Sequence, residues 1–94
     1  MYYTYILRSQ NDPSELYTGY TRNIKKRLQY HNDGLSSHTE KKRPWVIDFI
    51  AVFKNKYLAI KFEKYLKSPS GKAFRNKRLI EHKLYDNLQS SEDC

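Results

Sequence analysis

Residues 2–20 read Tyr2-Tyr3-Thr4-Tyr5-Ile6-Leu7-Arg8-Ser9-Gln10-Asn11-Asp12-Pro13-Ser14-Glu15-Leu16-Tyr17-Thr18-Gly19-Tyr20, and this stretch decides the fold. From Tyr2 to Leu7 every side chain is aromatic, β-branched or aliphatic, which reads as a strand with Tyr3, Tyr5 and Leu7 on one face and Tyr2, Thr4 and Ile6 on the other. Asn11-Asp12-Pro13-Ser14 joins side chains that bond their own backbone to a proline with preset φ, so Ser9 to Ser14 is a turn. A second short strand, Leu16 to Tyr20, follows it. The two pair naturally as a hairpin.

Downstream, Thr21 or Asn23 can cap a helix running to about Asp33, and Gly34 is placed to end it. At helical spacing Ile24, Leu28 and Leu35 share a face, with His31 between them in projection and Arg27 at its edge. Leu35 to Pro44 is a polar loop with a basic end. Trp45 to Phe53 is so rich in aromatic and β-branched residues that it reads as a buried third strand. Asn55 starts a second long helix to about Lys67, with Leu58, Phe62, Tyr65 and Leu66 as its apolar face and Glu63 at the border. Ser68-Pro69-Ser70-Gly71 breaks it, and Ser70 can cap a third helix from Lys72 to about Tyr85. The layout is β-β-α-β-α-α, an α+β class for which a three-stranded antiparallel sheet flanked by helices is the simplest packing.

The 94 residues suit one domain, expected over residues 1–85, with residues 86–94 a polar, disordered tail. Eighteen Lys and Arg against ten Asp and Glu give a formal charge of +8, and almost all of the bases fall between Arg22 and Lys83. Such a surface suits a polyanion, because neutralising phosphates releases condensed counterions. The sole cysteine, Cys94, excludes a disulfide framework and a thiolate metal cluster, and fits a reducing cytoplasm. The first residues lack the basic region and apolar run of a secretory signal, and no stretch approaches the roughly 20 apolar residues of a membrane span. A cytoplasmic protein with no membrane partner is expected.

Tyr5, Tyr17, Arg27, His31 and Glu63 form an inventory suited to phosphodiester hydrolysis. That reaction needs an oriented water, a base for its proton and positive charge for the transition state, and a divalent metal usually assists the leaving oxygen. One carboxylate, Glu63, is enough for a Mg²⁺ that keeps most of its waters. Arg27 could brace the phosphate, His31 could shuttle a proton, and nearby cations could lower a tyrosine's pKa. Each residue also has an ordinary explanation. The tyrosines could be sheet aromatics, Gly19 a bulge or a close backbone approach, Arg27 and His31 a surface pair, and Glu63 a helical partner of Lys67 four residues on.

Order and spacing decide between these, because the chain resembles the GIY-YIG nuclease superfamily over Tyr2 to about Leu79. Tyr3-Thr4-Tyr5 stands in the position of the family's leading triplet and Tyr17-Thr18-Gly19 in that of the second. Arg27 and His31 match the helix that carries an arginine with a His or Tyr one turn on, and Lys61-Phe62-Glu63-Lys64-Tyr65-Leu66-Lys67 matches the helix with the metal-binding glutamate. The likeness is closest to small standalone members, which share Leu16-Tyr17-Thr18-Gly19, Arg27 with His31-Asn32, and Arg43-Pro44; it also extends to the N-terminal nuclease domain of the bacterial excinuclease C subunit. The resemblance implies Tyr5 as general base, Tyr17 as assisting or alternative base, Arg27 as phosphate clamp, His31 as proton-relay group, Glu63 as ligand of Mg²⁺ (Mn²⁺ being the alternative ion) and Gly19 as a structural motif residue.

Three positions depart from the pattern. Tyr3 replaces the first glycine, Tyr20 stands where some relatives have lysine, and Arg75 stands where some have asparagine, with Asn76 beside it. The expected activity is metal-dependent cleavage of DNA, with branched, nicked or single-stranded forms as candidate substrates, RNA as an open alternative, and a protein partner as one source of targeting. Relatives serve in repair, restriction, mobile-element homing and junction processing. Arg22, Lys25, Lys26, Lys41, Lys42, Arg43, Lys67, Lys72 and Arg75 are the candidate contacts to the nucleic-acid backbone. The rival reading is a non-catalytic nucleic-acid-binding module with a vestigial site, its tyrosines stacking on bases.

Overall fold

The turn residues between the first two apolar runs do close a hairpin. The structure, a computed structural model, describes residues 1–80. Strand β1 (Tyr2–Ser9) pairs antiparallel with β2 (Leu16–Thr21) on one side and with β3 (Trp45–Phe53) on the other, giving a three-stranded antiparallel sheet of order β2-β1-β3. Helix α1 (Ile24–Asn32) joins β2 to β3, and α2 (Lys56–Lys67) and α3 (Pro69–Phe74) follow. The chain then makes a π turn over Arg75–Leu79. No helix among the described residues is long and apolar enough to cross a membrane.

The central position of β1 explains its burial. Thr4, Tyr5, Ile6 and Leu7 are all buried because both faces of the strand are covered. Tyr5 and Leu7 cluster with Trp45, and Tyr17, Ile24, Leu28 and Ile50 pack against them, so this face takes α1. On the other face the Thr4 hydroxyl donates to the Ala59 carbonyl of α2 at 2.7 Å. Opposite β1, β3 carries a bulge between the partners of Ile6 and Leu7, where Asp48 is the extra residue, and its carboxylate pairs with Arg8 at 3.1 Å.

Three expectations need correction. The third strand is an edge strand: only Trp45 is buried, while Val46, Ile47 and Val52 are exposed. An apolar run reports composition, and an edge strand with one covered face has the same composition as a central one. The covered stripe of α2 runs through Ala59 and Leu66, with Phe62 and Glu63 half-buried, whereas Leu58 and Tyr65 are 48% and 41% exposed. Small Ala59 lets the helix backbone approach close enough to accept from Thr4. The third helix begins at Pro69 with Ser68 as its cap, whose hydroxyl accepts from the Gly71 amide at 3.1 Å; the expected cap, Ser70, lies inside it. Proline at the first helical position has its φ already set and its missing N–H is not needed there. The expected end of that helix near Tyr85, and the tail, lie outside the described residues.

Of the two suggested caps for α1, Asn23 makes the bond, accepting from the Lys26 amide at 3.0 Å, while Thr21 bonds Asn23 itself. At the other end Asn32 ties the helix to the sheet. Its amide oxygen accepts from the Trp45 amide at 2.6 Å and its amide nitrogen donates to the Trp45 carbonyl at 3.1 Å. The Trp45 indole donates to the Thr39 carbonyl at 2.9 Å, so the loop between α1 and β3 is pinned at both ends of one residue. Removing these bonds leaves two polar groups of a buried residue unmatched. Asn32→Ala should therefore lower unfolding free energy by about 1–3 kcal/mol in urea titrations, without a change in denaturant slope.

Candidate functional site

The sheet register sets the first part of the site. Tyr5 lies opposite Gly19 and Leu7 opposite Tyr17, so Tyr5, Gly19 and Tyr17 project from one face. A Cβ built on Gly19 would lie 2.6 Å from the Tyr5 hydroxyl oxygen, 2.8 Å from its Cζ and 3.3 Å from a Tyr17 ring carbon. The Tyr5 ring thus occupies the space a side chain at position 19 would take. Gly19 is there for close approach, as its strand position suggests.

Helix α1 supplies the second part. His31 is buried behind Tyr5, its Nε2 3.1 Å from the Tyr5 hydroxyl and its Nδ1 2.8 Å from the Thr39 hydroxyl. The Tyr17 ring centroid lies 4.9 Å from the imidazole. Burial, and then the Arg27 cation, push the His31 pKa below its ordinary value, so the ring is neutral at pH 7. The Tyr5 phenol is pushed far above its ordinary range, chiefly by burial and then by Tyr17; Arg27 opposes the shift and Glu63 adds to it.

In front of Tyr5 an open cleft of about 900 Å³ is lined by Tyr5, Tyr17, Gly19, Arg27 and Glu63. Arg22 and Lys26 also line it. Thr21, Asn23, Tyr30 and Lys56 line it too, and the sequence does not single them out as site residues. Arg27 lies over the Tyr30 ring at 5.1 Å, a cation–π contact that holds the guanidinium in place. The spacing of three between residues 27 and 30 on a helix could have suggested that pair. Lys56, at the start of α2, is brought in by tertiary packing and no local signal marks it. Tyr20, at the position where some relatives have lysine, is also on the wall.

The other predicted bases separate. Lys67, Lys72 and Arg75 line a smaller depression of about 370 Å³ that shares Tyr17 with the cleft. Lys41 and Arg43 border a third hollow beside Asn32. Lys42 pairs with Asp12 at 3.2 Å, and Lys25 is exposed on α1 away from the cleft wall. Asn76 accepts from Arg75 at 2.9 Å and is not part of the cleft wall.

Glu63 is the carboxylate of the cleft, since α2 also runs alongside β2. One of its oxygens lies 2.9 Å from the Lys67 ammonium. No group of three or more His, Cys, Asp or Glu that could hold a metal exists among the described residues. A lone carboxylate on an open, wet wall fits a hard ion that keeps its waters and takes substrate oxygens, as Mg²⁺ does, and does not fit a closed zinc site.

Comparison with known proteins identifies the family. The GIY-YIG catalytic domain family matches residues 1–84. A UPF0213 protein of Bacillus licheniformis is 37% identical over 83 residues, covering 87% of this chain and 81% of its own length. One from Clostridium perfringens is 36% identical over 80 residues, covering 84% and 80%. The solution NMR structure of a UPF0213 protein from Bacillus halodurans superposes with a TM-score of 0.50 at 23% identity, over 99% of this chain and all of that one, a likeness of fold. The chain belongs to the GIY-YIG family, whose catalytic domain is a nuclease domain.

Gly19→Ala should cost about 1–3 kcal/mol of stability by forcing the Tyr5 ring aside. Combined with Tyr5→Phe, which removes the nearest atom, the loss should be smaller than the sum of the two single changes; a double-mutant cycle by urea unfolding measures the coupling. His31 sets a second expectation. Its pKa in the fold lies below the ordinary 6.5 of the unfolded chain, so the unfolded state binds the extra proton. Stability should fall as pH drops below 6.5, with little change above it, and His31→Gln should flatten that dependence in unfolding curves measured between neutral and mildly acid pH.

Proposed function

We propose that this chain is a divalent-metal-dependent endonuclease that hydrolyses DNA phosphodiester bonds. The observation that supports it most is the convergence of Tyr5, Tyr17, Arg27 and Glu63, drawn from two strands and two helices, on one cleft with Gly19 beneath. Core packing gives no reason for two phenols, a guanidinium and a carboxylate to meet on one solvent-facing wall. Arg27, steadied on Tyr30, is the donor for the scissile phosphate, and its planar fork suits two phosphate oxygens. Arg22, Lys26 and Lys56 surround it with positive charge and draw in the backbone.

Tyr5 is the general base in this reading, and Tyr17 assists or replaces it. The Tyr5 phenol is protonated in the free protein because burial disfavours the phenolate. Its activation requires added positive charge in the cleft. A Mg²⁺ held by Glu63 would supply that charge, stabilise the transition state and assist the leaving oxygen. Lys67 must then exchange its place on Glu63, and a helical pair of this spacing is worth only about 0.2–0.5 kcal/mol. DNA is the proposed substrate, in duplex, nicked, branched or single-stranded form, with RNA and a targeting partner protein as further variables.

The Glu63–Lys67 pair and the protonated Tyr5 also favour a second reading, a binding module whose nuclease constellation is vestigial. A cleavage panel over single-stranded, duplex, flapped and branched DNA separates the two. With Mg²⁺ or Mn²⁺ the wild type should cut at least one substrate. Glu63→Ala should lose metal-dependent cleavage by at least about a hundredfold while keeping its fold and salt-sensitive DNA affinity. Binding without cleavage of any substrate by the wild type would leave only the second reading.

A further inference from the structure

The buried pair behind the cleft floor extends to a residue that neither the family motif nor the charge pattern marks. Thr39 is fully buried in the loop between α1 and β3, with its hydroxyl 2.8 Å from His31 Nδ1. Its backbone is held by the Trp45 indole on its carbonyl and by the Ser36 carbonyl on its amide at 3.2 Å. Among the described residues that hydroxyl has one hydrogen-bond partner, the imidazole. A buried O–H without an acceptor costs about 1–3 kcal/mol, so its proton must point at Nδ1. The opposite arrangement, Nδ1–H donating to Thr39, would leave the hydroxyl proton with no acceptor.

We infer that Thr39 is a positioning residue that fixes His31 as the Nε2–H tautomer, so that the imidazole donates its hydrogen bond to the Tyr5 oxygen. The inference builds on the reading of Tyr5 as the base. With Nε2–H on one lone pair of Tyr5, the phenol's own proton points to the cleft, the one open side of this nearly buried residue. When Tyr5 ionises, that proton leaves through the cleft and not to His31, whose Nε2 already carries one. The phenolate oxygen keeps the Nε2–H bond and has a lone pair free to take the proton of an attacking water. His31 is thereby a hydrogen-bond donor to the base, which replaces the proton-relay role that the sequence suggested. In the free protein a neutral ring agrees with burial and the Arg27 cation, both of which push the His31 pKa down.

Long-range ¹⁵N–¹H NMR of the imidazole in the full chain tests this without any substrate. At pH 7 His31 should show the neutral Nε2–H pattern in the wild type and in Thr39→Ser, which keeps the hydroxyl. Thr39→Val should blur it toward mixed tautomers. In cleavage assays Thr39→Val should lower kcat by about tenfold, the rate equivalent of one hydrogen bond, with KM and Thr39→Ser activity within about twofold of wild type. A wild-type His31 found as the Nδ1–H tautomer overturns the inference whatever the activity. So does a folded Thr39→Val protein with unchanged tautomer and kcat. Should the wild type cut no substrate, the nuclease reading fails while the tautomer measurement still decides the role of Thr39; should Thr39→Val not fold, the wild-type spectrum decides it alone.

Discussion

The Tyr5 ring lying over Gly19 is the constraint on which the remainder of the site depends. It requires β1 and β2 to pair in one register, because a slip of one residue would send Tyr5 to the opposite face and bring Thr4 forward. The opposite face is committed as well: Thr4 donates to the Ala59 carbonyl there. Glu63 follows Ala59 by four residues, one turn along α2, so the hydrogen bond that anchors the helix also sets how far its carboxylate reaches. A single strand thereby fixes the phenol on one side and the carboxylate-bearing helix on the other.

Much of this was legible in the sequence because it is local. The hairpin came from the turn residues at 11–14, the starts of α1 and α2 from Asn23 and Asn55, and the set of cleft residues from the spacing that the GIY-YIG family shares. What could not be read depends on which elements become neighbours. Trp45 to Phe53 looked buried since composition does not distinguish centre from edge. Ala59 was overlooked on α2 since the buried stripe is set by a close approach to Thr4, for which a small residue is better than a large one. His31, placed by helical spacing on the inward face, is indeed inside, but the sequence does not show that Tyr17, Tyr30 and Thr39 seal it behind Tyr5. Lys56 and Thr39 have no signature at all outside the folded chain.

The electrostatics of the cleft are lopsided in a way that matches an anionic ligand. Arg22, Lys26, Arg27 and Lys56 face a single carboxylate, and that carboxylate already has a lysine. Neutral Tyr5 and neutral His31 add nothing to the balance. Sharing Tyr17 between the cleft and the depression with Lys72 and Arg75 places the two basic zones side by side. The hollow with Lys41 and Arg43 is a separate feature. Charge counted along the sequence treats all of these bases alike; only those beside the phenols can influence a bound phosphate, because screening removes interactions beyond about 8 Å at physiological salt.

The loop from Asp33 to Pro44 contributes more to the site than its polar composition suggests. It leaves α1 through Gly34, whose φ of +78° few other residues adopt and whose missing side chain makes room for the Arg43 guanidinium. Its Thr39 hydroxyl reaches the imidazole, and the Trp45 indole and Asn32 amide hold its far end. A loop pinned at its entry, middle and exit has little freedom to move relative to the sheet. Rigidity there is useful because the last link, from His31 to Tyr5, spans 3.1 Å and weakens quickly with misalignment. The phenol's oxygen is therefore oriented from behind by a segment that never touches the cleft, while the face it presents is set by Gly19.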